Sequence, residues 1–391
     1  MRVSKPNLVL ATLFFGVFVL GCAELLVVGV LDLITADLHI SVAAGGTLVT
    51  AYALGIALGG PALTVLTLKL DKRWVLVGAV VVFAVANLVL VTASDHEVFV
   101  AARFVSGAVD GLFIGVAFVT AMAIVPPERA GRAISTVISG VTVSAALGVP
   151  LGTLVGQWLG WRNSFVAIIA LSVIALIAVV VLVPSVPATG SGAAGQARHA
   201  FAPRVLAVLG LNFLVFASLY ATLTYIVLFL RTVTGVTGAM VSVFLFAYGL
   251  ATAVGSVGGG RFADRNASGT LIIATSGTAV ALLALWILGS VPVLAALVLL
   301  VWGVFAFGMA PSLQLRVVGL AGPGGQLASS LPASACNLGI AAGSATGGWV
   351  ISDFGPSAPV ITGMAIAALG TVVAWATSYL KPPVLEMATS S

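Results

Sequence analysis

Glu24, Arg103 and Asp110 are charged residues set inside long apolar runs, Glu24 in 8–30 and the other two in 98–122. A charge at the centre of a membrane-crossing helix costs at least ~2.5–3.5 kcal/mol on insertion scales, so each needs a reason to be there. Arg103 and Asp110 are seven residues apart, about two helical turns, and fall near one face. Gly107, Gly111 and Gly115 repeat every four residues along that face and let a second helix come close. Opposite charges on one face describe either a structural ion pair between helices or a wet interior site that handles protons or substrate.

The elements that must hold these residues are set by composition. The chain has 391 residues, 61% hydrophobic and 7% charged, against about 25% charged in a soluble domain. So few charges cannot cover a soluble fold, which argues against a nucleic-acid binder or a soluble enzyme and for an integral membrane protein. A span needs about 20 apolar residues. Twelve are expected, at 8–30, 42–68, 74–93, 98–122, 132–157, 163–183, 204–230, 237–260, 270–289, 292–315, 326–351 and 357–380. Arg2 and Lys5 precede the first run as in a signal peptide, but that run is too long for one and lacks a small-residue cleavage site.

Basic residues set the expected orientation. With the N-terminus inside, cytoplasmic segments hold Lys69, Lys72, Arg73, Arg129, Arg132, Arg261, Arg265 and most other Lys and Arg, while Arg162 and Arg231 lie outside. Both termini are then cytoplasmic. Residues 185–203 are small, polar and flexible, and read as a cytoplasmic linker between an N-terminal half (1–184) and a C-terminal half (204–391). The other connections are short and no phosphate-binding loop of the Walker type occurs, leaving no place for a nucleotide-hydrolysing domain. Cys22 and Cys336 lie in apolar runs, and His39, His96 and His199 are far apart, so neither a disulfide framework nor a metal site is expected. Channel, receptor and membrane-enzyme functions lack their signatures: a filter loop, a soluble signalling domain, a catalytic cluster.

The halves repeat weakly. The second span carries Tyr52 and ends in Asp71, Lys72 and Arg73; the eighth carries Tyr248 and ends in Asp264 and Arg265. Parallel repeats around a midplane site are a transporter plan. The chain resembles the major facilitator superfamily, and within it the drug:proton antiporter branch, over nearly its whole length. Gly260, Asp264 and Arg265 are similar to the family's cytoplasmic loop signature; in the first half Gly60 is present but Thr64 stands where the family has Asp, with Asp71 and Arg73 keeping the loop charged. Arg103 with Gly107 matches a span-four arginine implicated in proton coupling, whereas Asp110 is this sequence's own feature. Gly148, Pro150 and Gly152 resemble the antiporter signature, a bent, close-packing helix. Gly21 and Glu24 look like the motif of sugar, purine and chloramphenicol exporters.

The resemblance implies an all-α membrane protein of twelve transmembrane helices in two six-helix pseudo-symmetric halves, working as a monomer in the cytoplasmic membrane. It implies proton-coupled export of a small amphipathic compound, chloramphenicol or several drugs, with no cofactor beyond the proton gradient. Sugar or purine efflux and facilitated uptake are the alternatives. It sets the first and fourth spans side by side, and at ~1.5 Å per residue Glu24 falls between Arg103 and Asp110 in depth. The expected proton-coupling cluster is Glu24 as carrier or cation-binding acid, Asp110 as partner or second proton site, and Arg103 as counter-charge; for Glu24 the alternative is a fixed pair with Arg103. Expected substrate contacts are Asn212, Tyr220, Tyr225, Trp302, Gln314 and Asn337, of which Tyr225 and Asn337 match positions where the branch has Tyr and Asn. Gly60, Asp71, Arg73, Gly107, Gly148, Pro150, Gly152, Gly260, Asp264 and Arg265 are expected to serve gating and helix movement.

Overall fold

A computed structural model describes residues 5–126, 129–186, 198–322, 328–329 and 331–382. Most of the interhalf linker, 187–197, therefore lies outside the described residues. All regular structure among the described residues is helical, as a bilayer demands of a chain that must satisfy its own backbone. Hydroxyls follow the same rule: Thr120 donates to Val116 O at 2.8 Å and Ser172 to Ile168 O at 2.8 Å, each one turn back. Val85, Ile177 and Val280 are exposed on the outside of the bundle, the apolar surface that lipid covers.

The first half comprises α1 (Lys5–Asp37), α2 (Val42–Leu66), α3 (Lys72–Thr92), α4 (His96–Ala123), α5 (Ala130–Val143 continuing to Leu159) and α6 (Trp161–Leu182). The second comprises α7 (Pro203–Thr232), α8 and α9 within Ala239–Leu288, α10 (Pro292–Ala321), α11 (Leu331–Phe354) and α12 (Ala358–Ser378). Nine helices among the described residues are apolar and long enough to cross a membrane, and α5 is a tenth as a bent pair. Ala239–Leu288 is two spans in one run, because Asn266 is non-helical (φ −157°, ψ 87°) and its Oδ1 takes Gly269 N–H at 2.9 Å to start α9. With Gly-rich α11, helices stand among the described residues at each of the twelve places where a span is expected. The expected loop at 261–269 is instead largely helical, α8 running on past Arg261 to carry its charged end clear of the apolar zone.

Two helices widen at mid-course, α2 at Gly55–Gly59 and α5 at Ser144–Gly148. Pro61 and Pro150 follow these turns. Proline lacks an N–H and its ring crowds the carbonyl four residues back, so a local π-type turn relieves the clash and bends the helix.

Each half is pinched at one crossing. A Cβ on Gly107 (α4) would run into the Tyr52 carbonyl of α2, and one on Gly303 (α10) would meet the Tyr248 carbonyl of α8. Only glycine lets the backbones approach so closely.

The end of the bundle carrying Lys69, Arg73, Arg129, Arg261 and Arg265 is the basic end. The halves meet mainly toward the other end, where α2 packs on α11 and α1 on the last turns of α7, and α5 from its wide turn onward packs on α8. There Ser344 Oγ donates to Gly46 O at 3.0 Å, Tyr225 OH donates to Ser344 O at 2.8 Å, and Asp32 pairs with Arg231 across the halves. Toward the basic end, residues 60–66, 130–143 and 310–321 pack chiefly within their own halves. The bundle is closed at one end and parted at the other.

Candidate functional site

Arg103 is 1% exposed, yet it forms no ion pair with either carboxylate. Its Nη1 donates to Ala23 O at 2.9 Å, Nη2 to Glu24 O at 3.2 Å and Nε to Leu48 O at 3.3 Å. Its guanidinium lies 4.0 Å from the centre of the Tyr52 ring. The charge is thus held by three helix carbonyls, each with a lone pair to offer beyond its own helix, and by an aromatic face. Seven residues on, Asp110 is also 1% exposed and accepts the Tyr52 hydroxyl at 2.9 Å. The same hydroxyl lies 3.3 Å from Leu20 O. One proton therefore has two acceptors: the Asp110 carboxylate, or a carbonyl of α1.

Glu24 is half-buried, and its carboxylate has no hydrogen-bond partner among the described residues. It lies close enough to Arg103 and Asp110 for the charges to interact, and Tyr52 and Tyr220 share that neighbourhood. The three expected charged residues therefore share one neighbourhood, linked through Tyr52 and through backbone, not through carboxylate–guanidinium contact. Next to Glu24 in sequence, Leu25 begins the wall of a small cleft between the halves, about 40 Å³ in volume. Val28 and Ala145 line it from the first half, and Tyr220, Leu223, Leu245, Tyr248, Thr252 and Phe307 from the second.

The other expected contacts are dispersed. Tyr220 lines the cleft. Trp302 is fully buried against Tyr248, their ring centres 5.0 Å apart. Asn337 donates back to Ala333 O at 3.0 Å on its own helix. Asn212 ties α7 to α11 through Pro332 O at 2.7 Å. Tyr225 sits at the closed end, and Gln314 donates to Ser329 O at 3.0 Å toward the basic end.

Of the expected gating residues, Gly60 abuts Gly111, Gly148 abuts Cys22 and Gly152 abuts Leu26, so all three serve close helix contacts; Pro150 follows the wide turn of α5, and Gly260 approaches Pro311. Asp71 caps α3 by accepting Arg73 N–H at 2.9 Å and also takes the Ser185 hydroxyl. The Ser185 bond and the α3 amides hold its carboxyl below the usual carboxylate range. Arg73 reaches Val180 O in its own half, and Asp264 and Arg265 face solvent without an ion pair among the described residues.

The family description Major Facilitator Superfamily matches residues 13–331. The chain belongs to the Major Facilitator Superfamily. It is thus a member of a family of multi-pass membrane transporters of small molecules. This facilitator is 31% identical to the inner membrane transport protein YdhP of Escherichia coli K12, over the whole of both chains. It is 31% identical to a chloramphenicol resistance protein of Streptomyces lividans, over 84% of this chain and 85% of that one. It is 30% identical to a chloramphenicol efflux pump of Mycobacterium tuberculosis H37Rv, over 87% of this chain and 84% of that one.

Sequence reasoning passed over three parts of this facilitator's centre. Tyr52 and Tyr248 registered only as a repeat, and their recurrence at the same place in both halves was the signal. Asp32 lay beyond the expected end of the first span, although it follows Glu24 by eight residues on one helix. Its partner Arg231 read as a loop charge.

Proposed function

We propose that this facilitator is a proton-coupled exporter of a small amphipathic compound, chloramphenicol or a range of drugs, working by alternating access as a monomer in the cytoplasmic membrane. The proton gradient is its energy source and no cofactor is required. The observation that carries the reading is a half-buried, unpartnered Glu24 within electrostatic reach of Tyr220 on the wall of an apolar cleft, with the buried Arg103–Tyr52–Asp110 cluster beside it. The basic end faces the cytoplasm by the positive-inside rule, with both termini there. The parted side is then the cytoplasmic one, from which an exporter loads.

Glu24 and Asp110 carry the coupling. With Asp110 ionised, Tyr52 donates to it at 2.9 Å. A proton on Asp110 makes that carboxyl a donor, so the Tyr52 hydroxyl accepts from it and turns its own proton to Leu20 O, 3.3 Å away. Protonation thereby changes a contact between α2 and α1. Arg103, anchored on the carbonyls of Ala23, Glu24 and Leu48, ties both helices to α4 and stabilises whichever carboxyl is charged. Substrate entering from the cytoplasm displaces a proton at Glu24, and protons from outside reload the site once substrate has left. When the cytoplasmic end closes, Asp264 and Arg265 with the loop of Asp71 and Arg73 come within reach of one another.

The test uses everted vesicles with an acid interior and a pH-sensitive dye. Chloramphenicol should release protons from wild-type vesicles, and Glu24→Gln should reduce the release at least ~tenfold. Equilibration of substrate without a gradient, equal in both proteins, would identify a facilitative carrier instead.

A further inference from the structure

We infer that the second half carries an uncharged hydrogen-bonding subsite, formed by the hydroxyls of Tyr220 and Tyr248, for a neutral ring-bearing ligand that offers oxygen acceptors. The inference rests on the exporter reading only for the choice of compounds to try.

Tyr220 and Tyr248 line the same cleft and are 4% and 7% exposed. The Tyr248 hydroxyl is shielded and has no hydrogen-bond partner among the described residues, whereas the Tyr220 hydroxyl makes no hydrogen bond there without being fully shielded. Buried donors without partners are rare because desolvating them is costly, so the lone Tyr248 hydroxyl, on a cleft-lining residue within electrostatic reach of Tyr220, points to a molecule that completes it once its ring turns toward the cleft. The third polar group on that wall, the Thr252 hydroxyl, is already committed to Gly249 O at 2.7 Å. The rest is Leu25, Val28, Leu223, Leu245 and Phe307, a surface for a flat or branched apolar body.

No charged side chain lines the cleft. An anion there would have no counter-charge, and a cation would have to turn to Glu24, away from the tyrosines. A neutral molecule with carbonyl, nitro or hydroxyl oxygens satisfies both phenols and leaves Glu24 free for its proton. Trp302 acts behind them as a positioning residue: it touches no cleft, but its ring fixes that of Tyr248 from 5.0 Å, and its indole N–H is itself without a partner. The first half cannot supply such a subsite, because Tyr52 already donates to Asp110.

The experiment measures binding to the purified protein, without a gradient, of radiolabelled chloramphenicol, uridine and the cation tetraphenylphosphonium. Chloramphenicol or uridine should bind, and Tyr248→Phe and Tyr220→Phe should each weaken it about five- to tenfold while leaving the cation unaffected. Both substitutions keep the ring, and thermal unfolding checks the fold. A third variant, Trp302→Phe, should weaken the neutral ligand less than Tyr248→Phe and, like it, spare the cation. Wild-type affinity in Tyr248→Phe, equal loss of neutral and cationic ligands, binding of the cation alone, or binding of none of the three overturns the inference. A protein that binds chloramphenicol through Tyr248 but releases no protons would keep this inference and sink the antiport reading.

Discussion

One helix crossing is built twice, once in each half, and furnished differently. Gly107 under the Tyr52 carbonyl and Gly303 under the Tyr248 carbonyl mark the same pinch between paired helices. Four residues before the pinch glycine the first half has Arg103 and the second Leu299; three after it the first has Asp110 and the second Ala306. The tyrosine is common to both. In one half its ring carries a guanidinium and its hydroxyl meets a carboxylate; in the other its ring packs at a tilt against Trp302 and its hydroxyl has no partner among the described residues. The same scaffold thus carries charge at one crossing and only uncharged groups at the other, the difference on which the two proposals rest.

The largest break in that comparison should come from Arg103→Met, which removes the anchor of α1, α2 and α4 and leaves two acidic groups without a counter-charge. Drug-driven proton release should fall at least ~100-fold, since unpairing a buried charge typically costs ~3–5 kcal/mol; near-normal release would mean the cluster is structural. Leu299→Met at the matching site should change release by less than about twofold, as volume-conserving apolar swaps do.

The two tyrosines sharpen the comparison next. Tyr52→Phe should move the pH profile of export while leaving chloramphenicol binding within about twofold, and Tyr248→Phe should weaken binding with an unmoved profile. If both variants shift the same parameter, the division of labour fails.

At the closed end, Asp32→Asn removes the one ion pair that joins the halves among the described residues. Electron–electron resonance distances between labels on α1 and α7 should shift the open-to-closed ratio there roughly two- to fivefold, the equivalent of ~0.5–1 kcal/mol for a partly exposed pair.

The smallest effect belongs to the basic end, where Asp71 caps a helix and Asp264 faces solvent. Asp71→Asn should lower the thermal unfolding midpoint by a degree or two, while Asp264→Asn leaves it unchanged and slows transport. Because the folded state lowers the Asp71 pKa, its contribution is complete above the ordinary carboxylate value of ~3.9 and is lost as pH falls through the lowered one. The midpoint difference between wild type and Asp71→Asn should therefore vanish in acid.

Apolar run length made the all-helical membrane fold legible, because a bilayer leaves little other choice. Helix ends were less so: α8 overran its expected loop because a charged helix can project into water as readily as a loop. The neighbourhood of Glu24, Arg103 and Asp110 could be read from spacing and resemblance. What Arg103 touches could not, because backbone carbonyls are the same in every sequence and leave no mark on residue type. Asn212 and Asn337 were indistinguishable in the sequence, yet one bridges two helices and the other donates within its own. Side-chain type names a capacity to bond, and only the packing of neighbours selects the partner.

The wide turns of α2 and α5 each hold one residue beyond what an unbroken helix would need, like an extra tooth in a gear. Everything past the turn is therefore phased by about 100° relative to a regular helix of 3.6 residues per turn. In α2 this phase brings Thr64 over Gly115 of α4. Deleting a single residue from Gly55–Gly59 would leave α2 apolar and helical, but it would swing Thr64 off α4 and turn a different set of side chains toward the parted end. The length of that turn is a setting of direction, and a one-residue gap there between two such chains would signify differently aimed entrances rather than a shortened helix.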